Sequence, residues 1–368
     1  MKLNLTREEL LKPLQVVSGV VERRQTLPIL ANVFMSVNND VLKLITTDLE
    51  VELIVETSLA SASAGDGEVT VAARKLLDIC RALPEGTVLD ISDVNGKLQL
   101  KAGKSRFSLS MLPVDGFPKI HRLGESATVS IDGTILKGMV DKTYFAMAQQ
   151  DVRYYLNGIL FEIDGERLRV VATDGHRLSV CDGAIQSNAK RLIQAIIPRK
   201  GVLELQRLMA DSHGQVLITL SENHVRATFN GITYTSKLVD GKFPDYDRVI
   251  PQNTTKKVVA DRLILKDALH RAAILSNEKY RGVRLKIGRN GLVASTSNPE
   301  LEEAEEHIDV DYNGDELEIG FNVTYIIDAL SAVTSDEIEL LFTDGNSSCL
   351  IQPRDNRDCR HVIMPMRL

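Results

Sequence analysis

Apolar residues recur at helical spacing near the start of the chain. Leu10, Leu14, Val17 and Val21 follow Thr6-x-x-Glu9, a pair able to form a capping box. The pattern predicts an amphipathic helix over about residues 6–22, bent where Pro13 lies inside it. Counterparts are expected to start at Asp132 and Asp261, both good N-caps. Between helices the pattern switches to short alternating stretches bounded by Asn, Asp and Gly turns, such as Val41 to Ile45 and Lys97 to Leu100.

These elements repeat. Leu11-Lys12 is answered by Leu136-Lys137 and Leu265-Lys266, after 125 and then 129 residues. Asp48 in ITTDLEVEL returns as Asp174 in VATDGHRLSV and as Asn298 in ASTSNPELEE, at spacings of 126 and 124. Arg74-Lys75 recurs as Arg199-Lys200, and Phe117-Pro118 as Phe243-Pro244. One spacing near 125 kept by several landmarks predicts three homologous domains, 1–124, 125–252 and 253–368. Each should carry two helices and roughly six to eight strands. Strands follow strands through tight turns, so the fold class is α+β with antiparallel sheets.

Composition narrows the picture without changing it. The 368 residues are 43% hydrophobic and 26% charged, which excludes low-complexity and largely disordered readings. No apolar run approaches the roughly 18 residues that span a bilayer, and the charged N-terminus is unlike an export signal. Cys80, Cys181, Cys349 and Cys359 lack metal-site spacing and read as reduced thiols of a cytoplasmic protein.

Charge is distributed unevenly. The net charge of −6 argues mildly against coating nucleic acid. Basic residues nevertheless recur around the matched helices: Lys12, Arg23 and Arg24, then Arg74, Lys75 and Arg81, then Lys137, Lys142, Arg199, Lys200 and Arg207. The third repeat opens with Lys256, Lys257, Arg262, Lys266 and Arg271, whereas its last helix (321–333) is not basic. These are either separate solvated faces or one shared basic lining. Five carboxylates crowd residues 300–306, and Lys101, Lys104 and Arg106 surround Phe107, so two copies could meet first domain to third. The apolar end, His361 to Leu368, reads either as a final strand or as one wall of a peptide groove.

Catalysis finds little support. Asp174 and His176 are the most tempting pair, with a metal-dependent hydrolase as the competing reading, but a hydrolytic site needs at least three ligands. The match to Asp48 and Asn298 points instead to a turn cap. Phosphate-binding glycine loops and a nucleophile elbow are absent from the sequence. The chain reads as an interaction protein with no cofactor.

TLPILANV (26–33), TDLEVEL (47–53), ARKLLDICRALPEG (73–86), QDVRYYLNG (150–158), ATDGHRLSV (172–180), SKLVDGKFPDY (236–246), AILSNEKYRGVRL (273–285), NPELEEAEE (298–306) and the terminal MPMRL closely resemble the bacterial beta sliding clamp family, over the whole chain. The resemblance implies a non-catalytic processivity subunit of DNA polymerase III, built as a head-to-tail homodimer around duplex DNA. Size agrees: domains roughly 35 Å across leave almost no hole as three, but a hole of roughly 35 Å as six, against a duplex about 20 Å wide.

By the same resemblance, Arg24, Arg74, Gln149, Gln150, Arg153, Tyr154 and Arg199 would face DNA. Leu156, Thr173, Gly175, His176, Arg177, Leu178, Pro244, Arg248 and Val249 would form one part of a partner pocket. Asn322, Tyr325, Ser348, Val362, Met364, Pro365, Met366 and Arg367 would form the rest. Some relatives carry an apolar residue where this chain has Asn346. The dimer seam would pair Lys104, Arg106 and Phe107 with Ile274, Leu275, Glu302, Glu303, Glu305 and Glu306. Implied partners are the polymerase III alpha subunit, the clamp-loader delta subunit, other DNA polymerases, mismatch-repair proteins, ligase and replication-initiation regulators, each bringing a short linear motif.

Overall fold

A computed structural model of the chain describes residues 1–22, 27–59, 65–120, 124, 127–210 and 213–367. The first repeat runs β1 (Lys2–Thr6), α1 (Arg7–Val17), β2 (Asn32–Asn38), β3 (Val41–Thr47), β4 (Val51–Ser58), β5 (Gly67–Ala72), α2 (Ala73–Ala82), β6 (Val88–Val94), β7 (Lys97–Ala102) and β8 (Ser105–Ser110). The second runs β9 (Ala127–Asp132), α3 (Gly133–Asp141), β10 (Gly158–Asp164), β11 (Arg167–Thr173), β12 (Arg177–Ala184), the short β13 (Gln186–Ser187), β14 (Ile193–Pro198), α4 (Arg199–Leu208), β15 (Gln215–Leu220), β16 (His224–Phe229) and β17 (Ile232–Lys237). The third runs β18 (Lys256–Asp261), α5 (Arg262–Ala273), β19 (Gly282–Gly288), β20 (Gly291–Ser297), β21 (Glu303–Ile308), β22 (Leu317–Asn322), α6 (Val323–Ala332), β23 (Glu337–Phe342), β24 (Cys349–Pro353) and β25 (Cys359–Ile363). Each repeat is therefore a strand–helix–three-strand motif used twice. The α+β expectation holds, and the internal symmetry is finer than the sequence suggested.

Local chemistry accounts for the helix starts. Thr6 and Glu9 form the expected capping box, with the Thr6 amide donating to the Glu9 carboxylate at 2.7 Å. Asp132 accepts from the Thr134 amide and Asp261 from the Ile264 amide. The helix end differs from expectation: α1 stops at Val17 and passes into a tight turn over Ser18–Val20. The Ser18 hydroxyl takes the Leu14 carbonyl, and Pro13 has no amide to offer Glu9. Leu10, Leu14 and Val17 are fully buried, as their spacing implied.

Strand pairing joins the repeats. β4 pairs antiparallel with β17, and β12 pairs antiparallel with β25. The chain consequently divides into two compact units, residues 1–134 with 203–238, and residues 135–202 with 239–368. In the second unit an eight-stranded sheet runs β14-β10-β11-β12-β25-β24-β23-β18, so strands of the second and third repeats form one surface. Leu178 and Val362, paired across that seam, share an apolar cluster with Phe243, Tyr246 and Ile250.

The cysteine expectation is half corrected. Cys80 and Cys349 are buried free thiols, but Cys181 and Cys359 are joined in a disulfide. They lie 178 residues apart in sequence and directly opposite each other on β12 and β25, a proximity that spacing along the chain cannot reveal. Among the described residues no helix is long and apolar enough to cross a membrane.

Gly158 on β10 marks a close approach to β14: a Cβ there would stand 2.4 Å from the Ile197 carbonyl oxygen. Gly158→Ala should force the two strands apart and cost about 1–3 kcal/mol, read as a lower midpoint in denaturant-induced unfolding.

Candidate binding surfaces

The turn between β11 and β12 positions the central side chains. Asp174 Oδ1 accepts from the amides of His176 (2.9 Å) and Arg177 (3.0 Å), while the Thr173 hydroxyl accepts from the Gly175 amide and donates to the Arg177 carbonyl. Asp48 caps the matching turn of the first repeat through the amides of Glu50 and Val51, and Asn298 caps that of the third through the Glu302 amide. The turn-cap reading therefore holds in all three repeats. At φ +89° Gly175 adopts the left-handed conformation the turn requires. The remaining Asp174 oxygen pairs with Arg177 at 3.1 Å. No cluster of three or more metal-ligating side chains occurs among the described residues.

Arg177 ties this turn to the third repeat. Its guanidinium reaches Asp328 on α6 and the Phe145 carbonyl, and lies over the Tyr325 ring at 4.5 Å. The chain end completes the surface. β25 is a sheet strand, and the residues after it leave that sheet: the Met364 amide donates to the His176 carbonyl and the Met366 amide to the Gly320 carbonyl, both at 2.9 Å. The final-strand reading thus holds for Cys359–Ile363. Ser348 contacts the Met364 sulfur, and Asn322 caps α6 beside Tyr325.

Leu156 is buried, Leu178 and Val362 belong to a buried apolar floor, and Met364, Pro365 and Met366 are partly exposed. Pro244, Arg248 and Val249 are exposed on the loop whose Phe243, Tyr246 and Ile250 pack onto that floor. An adjoining groove of about 830 Å³ is lined by Tyr280, Arg284, Ser297, Glu305, Met366 and Arg367. The sequence reading missed Phe145, Asp328 and Tyr280, because nothing local marks a residue that acts by holding a distant arginine or bordering a distant tail.

The basic positions are less uniform than the repeat implied. Arg24 lies outside the described residues. Arg74 is exposed at the start of α2 and Arg199 half-buried at the start of α4, and Gln149, Gln150 and Tyr154 are exposed on the loop before β10. Arg153 bonds Asp151 through two guanidinium nitrogens, and those bonds pull the Asp151 carboxyl down to about 2. Arg207 is likewise engaged by Glu204, and Arg271 by Glu306.

Family patterns for the DNA polymerase III beta subunit match the chain end to end: the N-terminal domain over residues 1–121, the central domain over 130–245 and the C-terminal domain over 247–367. The chain belongs to the beta sliding clamp family. It is 52% identical over 368 residues to the beta sliding clamp of Pseudomonas aeruginosa and 46% identical over 369 residues to that of Escherichia coli K12, covering all of both chains in each case. Its fold superposes on the Pseudomonas aeruginosa clamp bound to griselimycin with a TM-score of 0.97 at 52% identity. On the Caulobacter crescentus beta subunit the TM-score is 0.94 at 36% identity; every chain is fully covered. As a clamp, the protein is a non-catalytic processivity factor of DNA replication.

Two of the terminal strands among the described residues are β8 and β21. β8 ends the sheet β1-β6-β7-β8, and β21 ends the sheet β21-β20-β19-β22. Lys104 and Arg106 are exposed and Phe107 half-buried on or beside the first edge, and Glu302, Glu303 and Glu305 are exposed along the second. Glu306 faces Arg271, Leu275 is half-buried, and Ile274 (76% exposed) and Leu301 (89% exposed) stand in solvent.

His361 on β25 couples the clamp's seam to pH. It is fully enclosed, with Nδ1 2.9 Å from the Ser179 hydroxyl, and burial pushes its imidazole down from 6.5 to about 3. A depressed histidine stabilises the fold above its unfolded-state pKa and loses that contribution as pH falls from about 6.5 toward 3. The loss approaches about 1.4 kcal/mol per pH unit. His361→Gln should flatten the acid side of a thermal-midpoint profile recorded between pH 7 and 4.

Proposed function

We propose that two copies of the chain join head to tail and close around duplex DNA in the cytoplasm, with domain boundaries at 1–124, 125–252 and 253–368. The strand-pairing rule carries this reading. The fourth strand of the first repeat takes the last strand of the second, and the corresponding strand of the second takes the last strand of the third. The same rule leaves β21 of the third repeat and β8 of the first for each other. Within one chain they are not paired, so the partner is a second copy, and a two-fold assembly satisfies both edges twice.

The repeats also specify the register of that joint. Val51 faces Ser236 and Arg177 faces Ile363. Glu302 takes the place of Val51 and Arg177 as the residue whose amide is capped by the turn acceptor. Ser110 corresponds to Ser236, each standing seven residues before the matched Phe117 or Phe243. Glu302 then faces Ser110, Glu305 faces Phe107 and Glu306 faces Arg106. Opposite charges meet, and Ile274 with Leu275 supplies apolar surface beside them.

Six domains would line the hole with Arg24, Arg74, Gln149, Gln150, Arg153, Tyr154 and Arg199. These meet phosphates without reading bases, so the ring is retained by topology and remains free to slide. The net negative charge disfavours adhesion to DNA outside the hole. The surface formed by Leu178, His176, Val362, Met364 and Met366 receives short apolar motifs of the polymerase alpha subunit, the clamp-loader delta subunit, other polymerases, mismatch-repair proteins, ligase and initiation regulators.

Clamps assembled on nicked plasmid by a clamp loader should remain bound through gel filtration and dissociate once the plasmid is linearised. Equal retention on both forms would refute encirclement. Native mass should be twice 40.7 kDa, and Ile274→Ala with Leu275→Ala should shift it toward the monomer. Arg106→Glu should weaken association, with Glu306→Arg in the partner restoring it.

Removing Met364 to Leu368 should abolish binding of a fluorescent polymerase-tail peptide, measured by anisotropy, with the native dimer mass unchanged. Undiminished peptide affinity would place the pocket elsewhere.

A further inference from the structure

We propose that Cys181 and Cys359 form a reversible thiol–disulfide clasp that locks the last strand of the third repeat to the second repeat. Strand pairing sets the two cysteines directly opposite each other. β12 and β25 pair from Cys181–Cys359 at one end of the ladder to Arg177–Ile363 at the other. The two cysteine Cα atoms are 4.1 Å apart, and the next amide, of Asp182, donates to the Asp358 carbonyl at 2.7 Å. Asp182 bonds both Arg169 and Arg360, so an ion network flanks the pair and holds the strands in register. Folding thus brings together two thiols 178 residues apart at high effective concentration.

Selectivity follows from burial. Cys80 and Cys349 are enclosed, and burial pushes both thiols up, Cys80 to about 11. Cys359 is 8% exposed and directly follows the exposed turn 354–358, whereas Cys181 is fully buried. Exchange with a small-molecule disulfide therefore begins at Cys359. Its thiolate attacks one sulfur, releasing one small thiolate and leaving a mixed disulfide. The Cys181 thiolate then displaces the second, closing the protein bond. The two protein thiols lose two electrons and two protons, and the small disulfide is reduced to two thiols. In a reducing compartment such a bond opens and closes with redox poise.

The consequence concerns the strand's other end. β25 ends at Ile363, and Met364 and Met366, which follow it, donate their amides to the carbonyls of His176 and Gly320. By linkage, whatever the paired strands contribute to forming the disulfide, the disulfide returns to the pairing. The oxidised chain holds this strand more firmly than the reduced one.

The test uses the full chain equilibrated in oxidised or reduced glutathione. Denatured samples should show four titratable thiols when reduced and two when oxidised, out of the four cysteines. Intact mass should fall by two hydrogens, and peptide mapping should join Cys181 to Cys359. The oxidised protein should unfold several degrees higher, its Arg360 to Ile363 amides should exchange more slowly, and dithiothreitol should reverse both. In Cys359→Ser the difference between the two buffers should vanish. Four thiols after oxidation, a persistent glutathione adduct, a bond to Cys80 or Cys349, or an unchanged midpoint would each overturn the proposal, and none of these needs a variant.

Discussion

Satisfying the backbone of one strand at each repeat boundary is the constraint on which this molecule depends. An unpaired strand edge exposes a row of amides and carbonyls that either find a partner or recruit one. Here β4 and β12 find theirs in the last strand of the following repeat, so sheets run on from repeat to repeat without ending at a domain boundary. The three repeats seen in the sequence therefore pack as two units, each built partly from the middle repeat.

The surface we propose for partner motifs is a by-product of that seam. Pairing β12 with β25 sets Leu178 against Val362 as a floor and delivers the chain end to the His176 turn. Arg177 then links the turn to α6 through Asp328 and Tyr325. His176, tempting as a catalyst, offers its carbonyl to Met364. Asp174, its neighbour, is spent on two amides and an arginine. The floor of the proposed peptide site is buried and apolar, and its rim is thioether and aromatic. Its central carboxylate, Asp174, is already engaged. This agrees with membership of a non-catalytic family.

The basic residues teach a similar lesson about counting charges. Arg153, Arg207 and Arg271 each answer a carboxylate in the same unit, so the charge available to a phosphate is smaller than the sequence inventory. Arg74 is exposed, and its position at a helix start repeats with Arg199. A sliding clamp calls for such sparse, sequence-blind attraction, since tight pairing would hold it in place.

Everything settled within a few residues was legible in the chain alone: the Thr6–Glu9 cap, the apolar stripe of α1, the Asp48, Asp174 and Asn298 turn caps, and the near-125 spacing that makes three domains. These depend on hydrogen bonds and periodicities whose partners are sequence neighbours. The contacts of Arg177 and the bond between Cys181 and Cys359 depended on which strand lies beside which. That choice is made by burial and backbone pairing over separations of more than a hundred residues, for which local pattern carries no signal.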